Sequence, residues 1–215
     1  MKTERTKIAC LQERDSFDRK AIYQILDESF VCHIGFTLDE QPFVIPTGYV
    51  RVDDNLLIHG SQASLMLRAM AWEKEVCVTV THAANFILAH SGFHLTISYP
   101  SVMIFGTAKL ITDEDEKLTA LRALTGRIFS NCRKDMRPPT KNELKATMVL
   151  ALPLSEASLK ICTSDPFEGE RDCEMDACAG VIPQSLQAGK AINDAKLRNG
   201  VEVLNFVSSY DLSAK

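Results

Sequence analysis

The chain is 215 residues long, 46% hydrophobic, and carries 24 basic against 28 acidic residues for a net charge of −4. That is apolar material for one sizeable core, and an acidic balance without a dense Lys/Arg stripe argues against a nucleic-acid binder. No apolar run approaches the roughly 20 residues that cross a bilayer, and no apolar stretch follows the charged start Met1-Lys2-Thr3-Glu4-Arg5, so neither a membrane span nor a secretory signal is expected and the expected compartment is the cytoplasm.

The first predicted element is a short helix capped by Asp18, with Ala21, Ile22, Ile25 and Leu26 as its apolar stripe. Strict alternation follows: Phe30, Cys32, Ile34, Phe36 and Leu38 face one way, and His33, Gly35 and Thr37 the other, which predicts a strand with one buried face. Asp39-Glu40-Gln41-Pro42 reads as a turn and Phe43 to Arg51 as the returning strand. Pro46 within that strand requires an edge position or a bulge, because proline has no N–H for a ladder. After a turn at Asp53-Asp54-Asn55, Leu56 to His59 is a short strand and Gly60-Ser61 breaks it. Ser64 to Trp72 is predicted helical, with Leu65, Ala69 and Trp72 on one face and Trp72 read as core.

Val76, Val78 and Val80 alternate in the next strand, and Phe86 to Ala89 forms another. Val102 to Ile111 is the longest strand expected, followed by a helix with Thr112 and Asp115 as capping pair and Leu118, Leu121, Thr125 and Ile128 as stripe. Thr140 and Glu143 make a second capping box before strands at Met148 to Leu152 and Leu159 to Thr163. An acidic, irregular stretch from Asp165 to Asp176 is expected to be a surface loop. Short strands joined by tight turns predict a mainly β chain with helices, an α+β antiparallel barrel, because a parallel sheet needs a crossover helix after nearly every strand.

Seven cysteines (Cys10, Cys32, Cys77, Cys132, Cys162, Cys173 and Cys178) are scattered and odd in number. Neither a disulfide framework nor a zinc site has that spacing, so reduced thiols packed as small hydrophobes are expected. His90 and His94 stand four apart, a metal spacing only on a helix, and Ser91-Gly92 between them breaks one, so no metal site is expected.

The stretch that carries chemistry is His59-Gly60-Ser61-Gln62-Ala63-Ser64-Leu65-Met66-Leu67-Arg68. A strand ends, a glycine turns the chain, hydroxyls follow, and a helix starts with an arginine in its first turns. Such groups suit a phosphate; on the residues alone, Ser61 and Ser64 as helix caps and Arg68 as a solvated charge is the competing reading.

The run from Phe17 to about Pro183 resembles the flavin-nucleotide-binding branch of the pyridoxamine 5′-phosphate oxidase-like superfamily, which includes the nitroimidazole reductases. The resemblance is carried, in family order, by Ile25-Leu26-Asp27-Glu28 and Val31-Cys32-His33-Ile34-Gly35-Phe36, then Gln41 to Thr47, and His59-Gly60-Ser61 with Ser64 and Leu67-Arg68-Ala69. Val76 to His82, Ser91-Gly92-Phe93-His94, Tyr99-Pro100-Ser101-Val102, Gly126-Arg127, Arg137-Pro138-Pro139-Thr140, Leu152-Pro153-Leu154 with Lys160, and Ala179 to Pro183 continue it. It implies a split β-barrel domain over 17–183, with an N-terminal extension at 1–16 and a C-terminal tail at 184–215 that packs on or flanks it. It also implies flavin mononucleotide (FMN) bound at a homodimer interface. The phosphate would sit at His59, Ser61, Ser64 and Arg68, and Pro46, Thr47, Gly48 and Tyr49 would run beside the isoalloxazine ring. Tyr99 and Ser101 would reach the flavin or the dimer seam, and His94 matches the family's histidine near the flavin face, a candidate proton donor to substrate.

The chain departs from that pattern at Leu65, Pro100 and Cys162, where arginine is usual, and at Cys178, where tryptophan is. Each arginine lost from a phosphate would remove a bond worth about 1.5–3 kcal/mol. The implied function is an FMN-dependent oxidoreductase acting on a small molecule; the alternatives are a non-enzymatic flavin-binding or redox-sensing module and, third, haem-related binding on the same barrel. No Arg-x-His signature of true pyridoxamine phosphate oxidases occurs in Val201 to Lys215, and no G-x-G-x-x-G indicates a nicotinamide-binding unit.

Overall fold

The computed structural model describes residues 3–6, 15–82, 85–129, 137–161, 174, 177–189, 192 and 194–196. After a 3-10 turn at Glu4–Thr6 the elements are β1 (Asp15–Ser16), α1 (Arg19–Glu28), β2 (Val31–Leu38), β3 (Gln41–Val52) and β4 (Asn55–Ser61). Next come α2 (Leu65–Ala71), β5 (Glu75–Thr81), β6 (Asn85–Leu88), β7 (Thr96–Ser98), β8 (Ser101–Thr107) and β9 (Lys109–Leu110). The remainder are α3 (Glu114–Ile128), α4 (Lys141–Ala146), β10 (Thr147–Pro153), β11 (Ala157–Lys160) and β12 (Gly180–Ile182). Among the described residues no helix is long and apolar enough to cross a membrane.

Every strand pair is antiparallel, as expected. One sheet has nine strands in the order β1-β11-β8-β5-β2-β3-β4-β10-β9. β8 and β9 lie far apart in that order, yet buried Ala108 alone separates them in the chain. A single residue cannot span a flat sheet of that width, so the sheet curls on itself. The expected strand from Val102 to Ile111 is therefore two strands, and the longest strand is β3.

The turn between β2 and β3 is only Asp39-Glu40, both at positive φ (48° and 62°), with Leu38 paired to Gln41. Those two angles make the type I′ turn that matches strand twist, so Gln41 and Pro42, expected in the turn, open the strand. The turn to β4 is Asp53-Asp54, with Asp53 at φ 50°. Aspartate tolerates this left-handed region better than most residues.

The inward face of the curl is the main core. Cys32, Ile34 and Phe36 of β2, Val76, Val78 and Val80 of β5, Val102 and Ile104 of β8, and Leu150 and Leu152 of β10 meet Ile22 and Leu26 of α1 there. Asp18 caps α1 as expected, accepting from the N–H groups of Lys20 and Ala21. On the outward face, α3 covers a second cluster of Val50, Leu57, Ile111, Ala120, Leu124 and Val149. The cap of α3 is Asp113, which accepts from Glu116 N–H, not Thr112, and its fully buried residues are Ala120 and Leu124. The Thr140–Glu143 capping box is present at α4. β6, β7 and β12 form a separate small sheet.

The N-terminal residues join this unit. β1 pairs with β11, and Arg5 bridges Glu75 and Glu156 with its guanidinium over the Phe105 ring. Among the described cysteines, Cys32 is buried, Cys77 half-buried and Cys178 exposed, all with free thiols. Burial pushes the Cys32 thiol up to about 12, so it is an inert core residue. Cys10, Cys132, Cys162 and Cys173, the expected loop from Asp165 to Asp176 apart from Glu174, and the end of the tail lie outside the described residues.

Candidate functional site

β3 changes partner along its length, and the site begins where it does. From Gln41 to Gly48 it pairs with β2, and from Tyr49 to Val52 with β4. β4 continues past Ile58 through His59, Gly60 and Ser61, but only against β10. Gly48 and His59, next in register after Tyr49 and Ile58, therefore do not pair, and the sheet parts between Pro46-Thr47-Gly48 and His59-Gly60-Ser61.

Backbone direction follows from one bond. Tyr49 N–H donates to Phe30 O at 3.2 Å. Strand groups alternate in direction, so Gly48 N–H turns the other way, into the opening. Pro42 and Pro46 occupy positions of the same parity, where a missing N–H faces the unpaired edge. The edge location expected for Pro46 is found, and its physical reason is that proline here costs no ladder bond.

Side-chain faces follow from register, because paired residues share a face and successive ones alternate. Val50, Leu57 and Val149 lie under α3, so Gly48, Pro46 and Val44 on β3 and His59 and Ser61 on β4 present to the same outward face. α3 packs on the β3, β4 and β10 part of that face. A row runs across it from Met103 through Thr79 and His33 to Pro46. Val31, Val44 and Met103 are exposed there.

The loop after Ser61 is compact. Ser61 Oγ accepts from Ala63 N–H at 3.1 Å, Ser64 N–H donates to Ser61 O at 3.0 Å, and Ser64 caps α2 by accepting from Leu67 N–H. The helix is seven residues long, and its cap already uses one N–H, so any hold on an anion rests on side chains more than on a dipole. Gly60 allows the close approach: a Cβ there would lie 2.9 Å from Leu67 Cδ1. Arg68 is exposed one helical turn after Ser64, and its stem leans back toward the helix start. His59 is exposed by area, yet surrounding protein desolvates the ring enough to lower its pKa below the ordinary imidazole value. It is thus a neutral hydrogen-bonding group near pH 7, and Arg68 supplies the fixed charge.

Pro46, Gly48, His59 and Ser61 therefore border the opening, and Ser64 and Arg68 stand on the loop and helix that follow Ser61. Thr47 lies at its edge but shares a face with the buried Cys32 and turns its backbone toward β2. Tyr49 is a core residue: it is 1% exposed and its hydroxyl donates to Leu26 O at 2.8 Å. Neither its ring nor its N–H faces the opening. Ser101 sits on the outward face of β8, three strands away from Pro46, roughly 14 Å at the usual strand spacing. Tyr99 and Pro100 link β7 to β8, with Pro100 O accepting from His82 N–H at 3.1 Å. His94 lies in the β6–β7 connection, edge-on to Phe93, and its N–H donates to Ser91 O.

On α2 the buried residues are Met66, Leu67, Ala69 and Met70, while Leu65 and Trp72 are 38% and 61% exposed. The expected core role of Trp72 is thereby overturned. It stands on the outer stripe with Leu65 and Arg68 because spacings of three and seven put all three on one face. Among the described residues no group of three or more His, Cys, Asp or Glu is placed to hold a metal. Sequence reading missed the outward row through His33 and Met103, for which the only signal was His33's position opposite the apolar face of its strand. It also missed a cavity of about 590 Å³ beside the loop, between Gln62, β9, the start of α3 and α4.

Comparison with known proteins bears on this site. The family model described as pyridoxamine 5′-phosphate oxidase matches residues 18–161. The FAD and heme binding protein from Mycobacterium smegmatis is 31% identical, with a TM-score of 0.87 over 92% of this chain and 97% of that one. The flavocytochrome Anf3 from Azotobacter vinelandii is 29% identical, with a TM-score of 0.89 over 95% of each chain. A Bacteroides thetaiotaomicron protein assigned to 5-nitroimidazole antibiotic resistance is 21% identical, with a TM-score of 0.58 over 68% of this chain and 86% of that one, a likeness of fold alone. A search of curated proteins gives no match.

Proposed function

The chain belongs to the pyridoxamine 5′-phosphate oxidase family and has its split-barrel fold, and from that premise we propose that it binds a flavin nucleotide in the opening between β3 and β4 and acts as an oxidoreductase on a small molecule. The observation that carries this reading is the parting of the sheet at Gly48 and His59. A flavin there would meet the Gly48 N–H on one side and His59 and Ser61 on the other, with Ser64 and Arg68 on the loop and helix that follow. Ser61, Ser64 and Arg68 would hold the phosphate on the ribityl 5′-oxygen, a group that FMN and FAD share. Gly48 and Pro46 would border the ring, where the absence of a side chain at Gly48 leaves the face flat. A bound flavin would supply hydride or electron transfer, and the protein would supply placement and charge.

The part of the outward face around Val31, Val44 and Met103, beyond the Arg5 turn that lies over Phe105, would be covered by a second copy of the chain, in a homodimer. This supports a role for Tyr99 and Ser101 across the seam, since Ser101 lies three strands away from Pro46 in its own subunit. Two of the relatives favour a second reading. The Mycobacterium smegmatis protein is named for FAD and heme and the Azotobacter vinelandii protein as a flavocytochrome, and His33 stands on the same apolar outward face as Met103. Haem beside the flavin would therefore use an imidazole that the flavin reading leaves unassigned.

The absorption spectrum and released-ligand mass of the purified protein test both readings. A flavin spectrum is expected, with a Soret band added if haem is resident and lost in His33→Ala. A colourless protein that ignores added FMN and FAD at high micromolar concentration sinks the flavin reading. Turnover with a reduced nicotinamide separates an enzyme from a flavin-binding or redox-sensing module.

A further inference from the structure

We propose that the cavity between Gln62, β9, the start of α3 and α4 is a small-molecule site of its own, built for a free α-amino acid with a large apolar side chain. Its lining shares no residue with the border of the opening between β3 and β4. Its volume of about 590 Å³ lies within the usual range of small-ligand sites. Part of the lining is apolar, from Leu110, Leu144 and Met148. Leu110 is 43% exposed, and an apolar side chain seated in the cavity would take that surface out of water.

The charges on the lining select the ligand. They are the Lys117 and Lys145 ammonium groups and the Glu114 carboxylate. Glu114 and Lys117 stand three apart on α3, a spacing at which opposite charges ordinarily meet. Among the described residues they nevertheless form no ion pair. Lys117 Nζ donates instead to Leu144 O at 2.7 Å. An ammonium group has three protons, so two remain for a ligand, and the Glu114 carboxylate keeps its acceptors. Gln62 is held through its Nε2 on Lys145 O, which leaves its Oε1 as a further acceptor. A cation and an anion that line one cavity without pairing are the complement of a zwitterion. The carboxylate of an amino acid would meet Lys117, its ammonium Glu114 and Gln62, and its side chain the apolar wall. Residues three apart on a helix have Cβ atoms about 5–6 Å apart, which suits the neighbouring charges of one amino acid and not the separated ends of a peptide.

Isothermal titration calorimetry of the full chain with L-phenylalanine, 3-phenylpropanoate and 2-phenylethylamine tests the assignment. The second compound lacks the ammonium and the third lacks the carboxylate. L-Phenylalanine is expected to bind, and each analogue to bind more weakly by about tenfold or more, the scale of a hydrogen bond to a charged group. Glu114→Gln should narrow the advantage of phenylalanine over 3-phenylpropanoate, and Lys117→Met its advantage over 2-phenylethylamine. A general loss of fold would not produce that pairing of variant with analogue, and the analogue comparison on the wild type decides even if a variant fails to fold. No binding of phenylalanine at millimolar concentration, an analogue that binds as tightly, or charge preferences that survive both substitutions overturns the amino-acid site.

Discussion

Arg68 and Glu156 show how differently two surface charges can act. Arg68 follows Ser64 by one helical turn on α2, whereas Arg122 lies on α3. Arg68→Ala is expected to weaken flavin binding by about 1.5–3 kcal/mol, the scale of a hydrogen bond to a charged group, and Arg122→Ala to leave it unchanged. Fluorescence titration of the two variants decides; equal affinities would make Arg68 a solvated charge. Glu156 is structural. The Arg5 guanidinium holds its carboxyl down at about 2 from the usual 4.5. A carboxylate with a depressed pKa contributes stability above its ordinary value and loses it as pH falls through the folded one. Thermal melts should therefore find the wild type above Glu156→Gln at pH 6, with the gap closing between about pH 4.5 and 2. A gap that persists at pH 2 would show that the contact is not ionic.

Two glycines on neighbouring strands separate packing from binding. On β4, Gly60 faces Leu67, which is 1% exposed and has no room to retreat. Gly60→Ala is expected to cost about 1–3 kcal/mol by overpacking and to displace the Ser61–Ser64 loop, lowering both melting temperature and flavin affinity. On β3, Gly48 would meet only Phe30 O, at 3.8 Å. Gly48→Ala should melt within about 0.5 kcal/mol of wild type and still bind flavin more weakly, because the new methyl stands in the opening. Matched melts and titrations check the pair; a stable Gly60→Ala would mean that α2 is free to shift. The same elements explain why the stripe expected on α2 was misplaced. Leu65, Ala69 and Trp72 share a helical face on paper, but a seven-residue helix has only two turns of pattern, and β2, β4 and β10 take the Met66–Met70 face instead.

The proposed dimer would use the part of the outward face that neither α3 nor the Arg5 turn covers. Val44 is 69% exposed there, with Val31 and Met103 at 41% each. An exposed apolar patch commonly marks an interaction site, and two copies related by a twofold axis would cover it symmetrically. Light scattering is expected to give the mass of a dimer for the wild type. Val44→Glu should shift it toward the monomer, and Tyr99→Ala should loosen the dimer and lower flavin affinity together. A wild type that is monomeric while holding flavin would end the shared-site idea.

Local rules in the sequence were enough for the helix at Asp18, the alternation of β2 and β5, the Thr140–Glu143 box and the antiparallel character, because capping and period-two burial are properties of a few adjacent residues. The edge status of Pro46 was legible for the same reason, since proline forbids an interior ladder position wherever the strand ends up. The resemblance of ordered motifs singled out the Ser61–Ser64 loop as the candidate for holding a phosphate. Tertiary structure alone decided that the run from Val102 to Ile111 breaks at Ala108, because closing a curled sheet is a constraint between strands far apart in order. It alone turned Tyr49 into the core to reach Leu26 O and left Trp72 outside. The opening itself is of this kind. Nothing in Gly48 or His59 announces that they fail to pair; the parting exists because β3 must follow β2 on one side of the curl while β4 follows β10 on the other.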